Sequence, residues 1–172
     1  MSFRGHARLL AAKALRTATA FRSLGNTTRG VPPSLLRQAA VACVLPVAYY
    51  AADAWWPGRS RQAGTRKVSN QMDGVLLVLS KVSLAAARAV LPVYKTTPTS
   101  TLYKESRILP PEIALDYIAR KASARLYRLD PGHPLRLRGE LVNQDPLIVS
   151  RLARRLRALP KAEQADPIAF PP

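Results

Sequence analysis

Acidic residues, cysteine and histidine are all scarce in this 172-residue sequence, which has 10 Asp and Glu, one Cys and two His. A single cysteine cannot form a disulfide within the chain. Cys43 lies in the apolar stretch AVACVLPV, which predicts a buried small residue rather than a nucleophile. His6 and His133 are far apart, with no second ligand at metal-binding spacing near either. The sequence therefore predicts no metal site and no cofactor.

The few acidic residues are also scattered, so the carboxylate clusters of nucleic-acid enzymes are missing. Two-metal chemistry holds its ions about 4 Å apart between neighbouring carboxylates, and this sequence has no Asp-Asp pair. It also lacks a Walker loop, a dinucleotide-binding glycine fingerprint and a nucleophile elbow. We therefore expect no catalytic activity of the chain on its own. The acids instead occupy positions within or at the ends of predicted helices, namely Asp53, Asp73, Glu112, Asp116, Asp130 and Asp145.

Long apolar runs are missing as well. The longest, Ala39 to Ala52, has 14 residues and contains Pro46, whereas a helix that spans a bilayer needs about 20 apolar residues. We therefore expect no transmembrane segment and no membrane partner.

Positive charge, by contrast, is abundant. The chain has 27 Lys and Arg and a net charge of +17, and such self-repulsion does not help a globular domain to fold. A polyanionic partner explains it most simply, and the excess of Arg suits phosphate, which favours nucleic acid. An anionic membrane, an acidic protein and a merely solvated surface are the alternatives. The first 52 residues have seven Arg and Lys and no acid, which also fits a mitochondrial presequence.

Apolar periodicity and proline punctuation predict an all-α fold of several short helices with Pro-rich loops. A first helix has the stripe Phe3, Ala7, Leu10, Ala14, Thr17, Phe21 and Leu24, with cations on its other faces. A buried helix is predicted over 35–56, kinked one turn before Pro46. Helix is also favoured over strand for 68–90. A short helix is expected around 100–107, a fourth long helix begins at Pro110 and Pro111, and a basic helix starts at Asp145 and Pro146 before a frayed tail.

Four aromatic residues fall within eight positions: Tyr49, Tyr50, Trp55 and Trp56. Exposed aromatic rings stack on bases in single-strand binders. The near-continuous apolar context favours core anchors instead, with Trp56 expected to be the most exposed of the four.

Four stretches of the chain, taken in order, resemble one family. They are LGNTTRGVPPSLLRQAAVACVLPVAYY at 24–50, YYAADAWWPG at 49–58, ARAVLPVYKTTPTSTLYKES at 87–106 and PPEIALDYIARKASARLYRLDPGHPLRLR at 110–138. Together they resemble the region that follows the polymerase palm in LINE-like non-LTR retrotransposon reverse transcriptases of the fungal type. The residues that serve as its signature are Tyr50, Asp53, Trp55, Thr96, Thr97, Pro98, Asp130, Pro131, His133 and Pro134.

The resemblance implies a thumb-like helical bundle that packs along template and primer. It divides the chain into a thumb-like region (1–92), a connection with the fourth helix (93–139), a basic C-terminal helix (140–160) and a disordered tail (161–172). The family's polymerase uses Mg²⁺, but its catalytic aspartates would precede Met1 and its ribonuclease H carboxylates would follow Pro172. The chain is thus expected to be a reverse-transcriptase fragment without either active site. Ala51 stands where the family often has glycine.

The resemblance also implies partners: RNA or DNA, and a palm domain or other retroelement protein supplied separately. It points to a nuclear or cytoplasmic location, with an imported mitochondrial protein and a non-functional transposon remnant as alternatives. The residues expected to contact phosphate are arginines predicted to face away from the apolar stripes, namely Arg8, Arg16, Arg22, Arg59, Arg61, Arg151, Arg154 and Arg155. The stretch RLDPGHPLRLR at 128–138 is predicted to form a rigid corner that continues as an extended segment.

Overall fold

The computed structural model describes residues 3–25, 30–56 and 73–137. Every regular element within these ranges is a helix, which confirms the all-α prediction and excludes a strand at 75–79. The elements are α1 (Phe3–Phe21), α2 (Pro33–Ala39), a π-helical turn (Ala40–Val44), α3 (Leu45–Ala48), α4 (Ala52–Trp55), α5 (Asp73–Val90), α6 (Thr99–Ser106) and α7 (Pro111–Tyr127). The predicted basic C-terminal helix and the tail lie outside the described residues.

These residues fall into two compact units, the first within 1–51 and 61–114 and the second within 52–60 and 115–172. In the first unit α1 and α5 form the most extensive helix pair. Arg8 lies beside Gly74 near the start of α5, and Gly25, after the end of α1, lies against Ala89 near the end of α5. The two helices therefore run in the same direction.

Alanines line the buried face of α1, at Ala7, Ala11, Ala14 and Ala18. Ala7 and Ala14 belong to the predicted stripe, which was right there. It was wrong at Leu24, which is exposed, and Leu10, Thr17 and Phe21 are only partly buried. The buried positions Val75, Leu79, Val82 and Ala86 of α5 have the matching spacing, and three of these four side chains are larger than alanine. Small side chains on one helix let the larger ones of the other fill the space between them.

The predicted single helix over 35–56 is broken. Leu36, Ala40, Val44 and Ala48 are all buried at a strict spacing of four residues. In a regular α-helix this spacing drifts about 40° around the axis at each step, so the stripe would leave the core. The π-helical turn, closed by the Leu45 N–H to the carbonyl of Ala40, widens the helix and absorbs this drift. It lies in the turn before Pro46, where the sequence predicted a kink.

The same segment is also less buried than predicted. Three side chains one position away from this stripe are exposed, namely Leu35, Val41 and Cys43. The prediction that Cys43 is buried is therefore wrong. Because every face of a helix in this stretch is apolar, the sequence does not indicate which face is buried. The elements that pack against the helix determine it.

Two further features complete the first unit. Gly25 allows close packing, since a Cβ there would lie 2.8 Å from the carbonyl oxygen of Ala89.

The short helix expected around 100–107 is α6, and its C-cap, Arg107, has a left-handed conformation (φ 53°). A short helix in this region is therefore confirmed.

The second unit contains α4 and most of α7. Helix α7 begins at Pro111, as predicted, and buries Leu115, Ala119 and Ser123 at a spacing of four. The hydroxyl of Ser123 donates to the carbonyl of Ala119 at 3.0 Å, so its burial leaves no polar group unsatisfied. The four segments inferred from the resemblance stay a prediction.

No helix in the described part of the chain has the length and apolar character needed to cross a membrane.

Candidate nucleic-acid interface

All charged residues of α1 are basic. Its sequence contains four cations, Arg4, Arg8, Lys13 and Arg16, and no acid, and all four are exposed. Because the alanine face is held against α5, these side chains are directed to solvent over a helix of 19 residues, about 28 Å long. The arrangement places four cations on a rigid element, spread over about half of its circumference.

Three of the predicted contact residues lie in this region and are exposed: Arg8, Arg16 and Arg22. Arg8 and Arg16 are separated by about 12 Å along the axis and about 80° around it. Arg22 follows α1 in a turn where its N–H donates to the carbonyl of Thr19 at 3.2 Å. The other five, Arg59, Arg61, Arg151, Arg154 and Arg155, lie outside the described residues.

Two arginines that sequence reasoning did not select are partly buried. Arg88 donates from Nη2 to the carbonyl of Lys95 at 3.4 Å, and so connects α5 to the loop before α6. The Nε atoms of Arg88 and Arg37 are both buried without a hydrogen-bond partner among the described residues. These side chains are less available to an external phosphate than the α1 cations.

The four aromatic residues at 49–56 comprise three buried rings and one exposed ring. Tyr49 is buried and its hydroxyl is 2.9 Å from the hydroxyl of Ser83 on α5. Burial raises the pKa of Tyr49 to about 12, an effect that the Ser83 hydrogen bond partly opposes and the nearby Tyr103 adds to. Tyr50, by contrast, is 63% exposed.

The two tryptophans of the second unit are both buried. Their rings are arranged edge to face, with centroids 6.4 Å apart. Trp56 is only 2% exposed, so its predicted exposure is wrong. Its indole Nε1 donates to Oδ1 of Asp116 at 2.6 Å. The carboxylate of Asp116, 60 residues further along the chain, thus satisfies the indole N–H.

The remaining signature residues have structural positions. Asp53 accepts the N–H of Ala54 at 3.1 Å, and Trp55 is fully buried. Thr96 and Thr97 lie in the turn before α6, where Thr97 donates its N–H to the carbonyl of Tyr94, and Pro98 is the N-cap of α6.

The corner at 130–137 was predicted correctly as a turn but wrongly as the start of an extended segment. Asp130 accepts the N–H of Gly132 at 2.7 Å, which closes the turn that includes Pro131. His133 then accepts the N–H of Leu135 on Nδ1 at 3.2 Å, and residues 134–137 form one helical turn. Pro134 fits its first position because its fixed φ is already helical.

Arg136 is directed back into this corner, where Nη1 donates to the carbonyl of Leu129 at 2.9 Å. The chemistry of the corner is therefore that of a helix cap, with a histidine as the capping residue. Across the described ranges, no group of three or more His, Cys, Asp or Glu side chains is arranged to hold a metal ion.

No family model, no curated protein and no solved structure matches this chain. The resemblance to the reverse-transcriptase region therefore stays a prediction from the motifs quoted above.

Proposed function

We propose that this chain binds the phosphate backbone of nucleic acid through the exposed cations of α1, and that it has no polymerase activity of its own. The observation that carries the proposal is the composition of α1, which has four exposed cations and no acid. An exposed helix that only needed to be soluble would gain from pairing Glu with Lys or Arg one turn away. Like charges with no acid between them repel each other, and a bound anion relieves that repulsion.

The length of the surface suits a nucleic-acid strand. Phosphates in one strand of a duplex repeat about every 3.4 Å along the axis, so the roughly 28 Å of α1 runs beside several of them. The arginines present planar, bidentate donors that match phosphate oxygens. Contacts of this kind position a strand without reading its sequence.

The resemblance supplies a wider context for this activity. In reverse transcriptases of the family, the region after the palm packs helices along template and primer. A helical, acid-poor segment with cations on one long helix has the properties that such a role requires. We propose on this basis that the chain is a thumb-like part of a retroelement reverse transcriptase, which relies on catalytic residues that it does not itself carry.

The test is the salt dependence of binding to a short RNA or DNA. If about five phosphates are neutralised, log affinity falls with log salt at a slope of about −3.5 to −4.5. The variant Arg4→Gln/Arg8→Gln/Arg16→Gln, whose three changes all lie on α1, should reduce the magnitude of this slope by about 2 to 3, because each lost contact removes about 0.7 to 0.9.

The matched control is Lys104→Gln/Lys121→Gln/Arg125→Gln, which removes the same charge from three exposed positions on α6 and α7. It should change the slope much less than the α1 variant does. A flat salt response of the unmodified chain would refute the proposal, and equal effects of both variants would mean that net charge, rather than α1, determines binding.

A further inference from the structure

Tyr49 and Tyr50 are neighbours in sequence but have opposite environments. Tyr49 is buried against Ser83, whereas Tyr50 is 63% exposed. Both residues lie in the turn that ends α3, and Ala51, which follows them in it, has a φ of 53°, in the left-handed region that L-residues rarely adopt. The turn thus carries one ring in the core and one at the surface.

Tyr50 meets a second ring there. The ring centroids of His6 and Tyr50 are 6.3 Å apart and their planes are inclined at 57°, within the range of favourable aromatic pairs. His6 is exposed on α1 and Tyr50 follows α3, which packs against α1. The pair is thus supported by two helices rather than by one mobile loop.

Cations continue from this pair along the same side of α1. Lys13 and Arg16, both exposed, follow His6 by about 10 and 15 Å along the axis and lie within about 80° of it around the helix. Leu9, which lies between them and His6, is 66% exposed and adds apolar surface. An aromatic pair followed by cations is the composition of single-strand binding surfaces, where rings stack on bases and cations track phosphates.

We propose that His6 and Tyr50 form a stacking platform for an unpaired base of single-stranded RNA or DNA, whose backbone then follows α1 past Lys13 and Arg16. The proposal rests on the nucleic-acid binding proposed above. It adds that the chain prefers single-stranded to double-stranded nucleic acid. Bases in a duplex already stack on each other, so only an unpaired base gains from the platform. Stacking tolerates any base because every base has an aromatic face, so no sequence preference is expected.

The experiment compares two ligands at one salt concentration with the full chain: a twelve-residue oligothymidylate and a phosphate chain of equal length with abasic sugars. The unmodified protein should bind the first roughly 5- to 100-fold more tightly, which is the range expected for loss of a stacked base. Tyr50→Leu should lose most of this preference, whereas Tyr50→Phe should retain it. Neither variant removes charge, so the salt slope should stay unchanged in both.

Tyr94→Leu is the matched control, since Tyr94 is 87% exposed in the loop between α5 and α6 and makes no ring contact among the described residues. It should keep the preference for bases. Equal binding of both ligands, or an undiminished preference in Tyr50→Leu with a normal helical circular dichroism spectrum, would overturn the platform. Either result with a steep salt slope would leave the α1 proposal standing, whereas a flat slope would refute that proposal as well.

Discussion

Helix α5 and residues 33–51 are both strongly apolar, yet they fold differently. Helix α5 is regular over 18 residues, and its buried positions Val75, Leu79, Val82 and Ala86 alternate spacings of four and three, which average close to the 3.6-residue turn. Residues 33–51 bury every fourth residue and are divided by a π-helical turn and a left-handed residue. Apolar content predicts that a segment is helical, but the spacing of its buried positions decides whether the helix stays regular.

The irregular segment is also where the candidate base contact lies. The turn at 49–51 ends α3, with Tyr49 buried and Tyr50 exposed in it. Helix α5 has no such break, and it packs along α1. The broken segment therefore carries Tyr50, the proposed base contact, and the regular one supports the helix that carries His6.

The largest expected difference between the two segments is in the response to one substitution, Leu→Ala. Leu79 on α5 is 0% exposed, so Leu79→Ala should lower the free energy of unfolding by about 3 to 5 kcal/mol through lost burial and a residual cavity. Leu35 on α2 is 51% exposed, so Leu35→Ala should cost about 0.5 kcal/mol. Urea unfolding followed by circular dichroism measures both. Similar losses would mean that residues 33–51 are covered as fully as α5.

The next largest effect tests the hydrogen bond between Tyr49 and Ser83, which joins residues 33–51 to α5. Burial raises the pKa of Tyr49 from 10.0 to about 12, so the folded protein holds this proton more tightly than the unfolded chain does. The stability that this provides is complete below pH 10 and is lost as pH rises from about 10 to about 12. The loss should reach about 2 to 3 kcal/mol, measured by urea unfolding across this range.

Tyr49→Phe is the control for that titration. It cannot ionise at position 49, so its stability should fall less steeply above pH 10 than that of the unmodified protein. It should also cost about 1 to 2 kcal/mol at neutral pH, because the buried Ser83 hydroxyl loses its partner. Identical pH profiles for the two proteins would contradict the buried Tyr49–Ser83 contact.

Periodicity and proline positions were sufficient to predict an all-α fold, the start of α7 and a distortion before Pro46. They were insufficient to choose the buried face where every face is apolar, as around Cys43. The alanine stripe of α1 was predicted only at Ala7 and Ala14 for a related reason: Leu10 is the more hydrophobic residue, but the smaller Ala11 is the one that is fully buried. The burial of Trp56 depends on Asp116, 60 residues further on, and local sequence carries no signal for that pairing. The exposed cations of α1, by contrast, followed from helical spacing.

The smallest expected effect is that of Ala→Gly on the free energy of unfolding, which should have opposite signs in the two segments. Ala51 has a φ of 53°, which costs an L-residue about 1 to 2 kcal/mol relative to a right-handed conformation. Glycine adopts this conformation without that cost but loses about 0.5 to 1 kcal/mol more chain entropy on folding. Ala51→Gly should therefore raise the free energy of unfolding by up to about 1 kcal/mol.

The same substitution in α5, Ala85→Gly, should lower that free energy by about 1 kcal/mol, since Ala85 is within a regular helix and only partly buried. Urea unfolding of the two variants side by side isolates the backbone, because each loses the same methyl group. A loss of stability in Ala51→Gly would mean that residue 51 adopts a right-handed conformation in solution, in which glycine only adds chain entropy to the unfolded state.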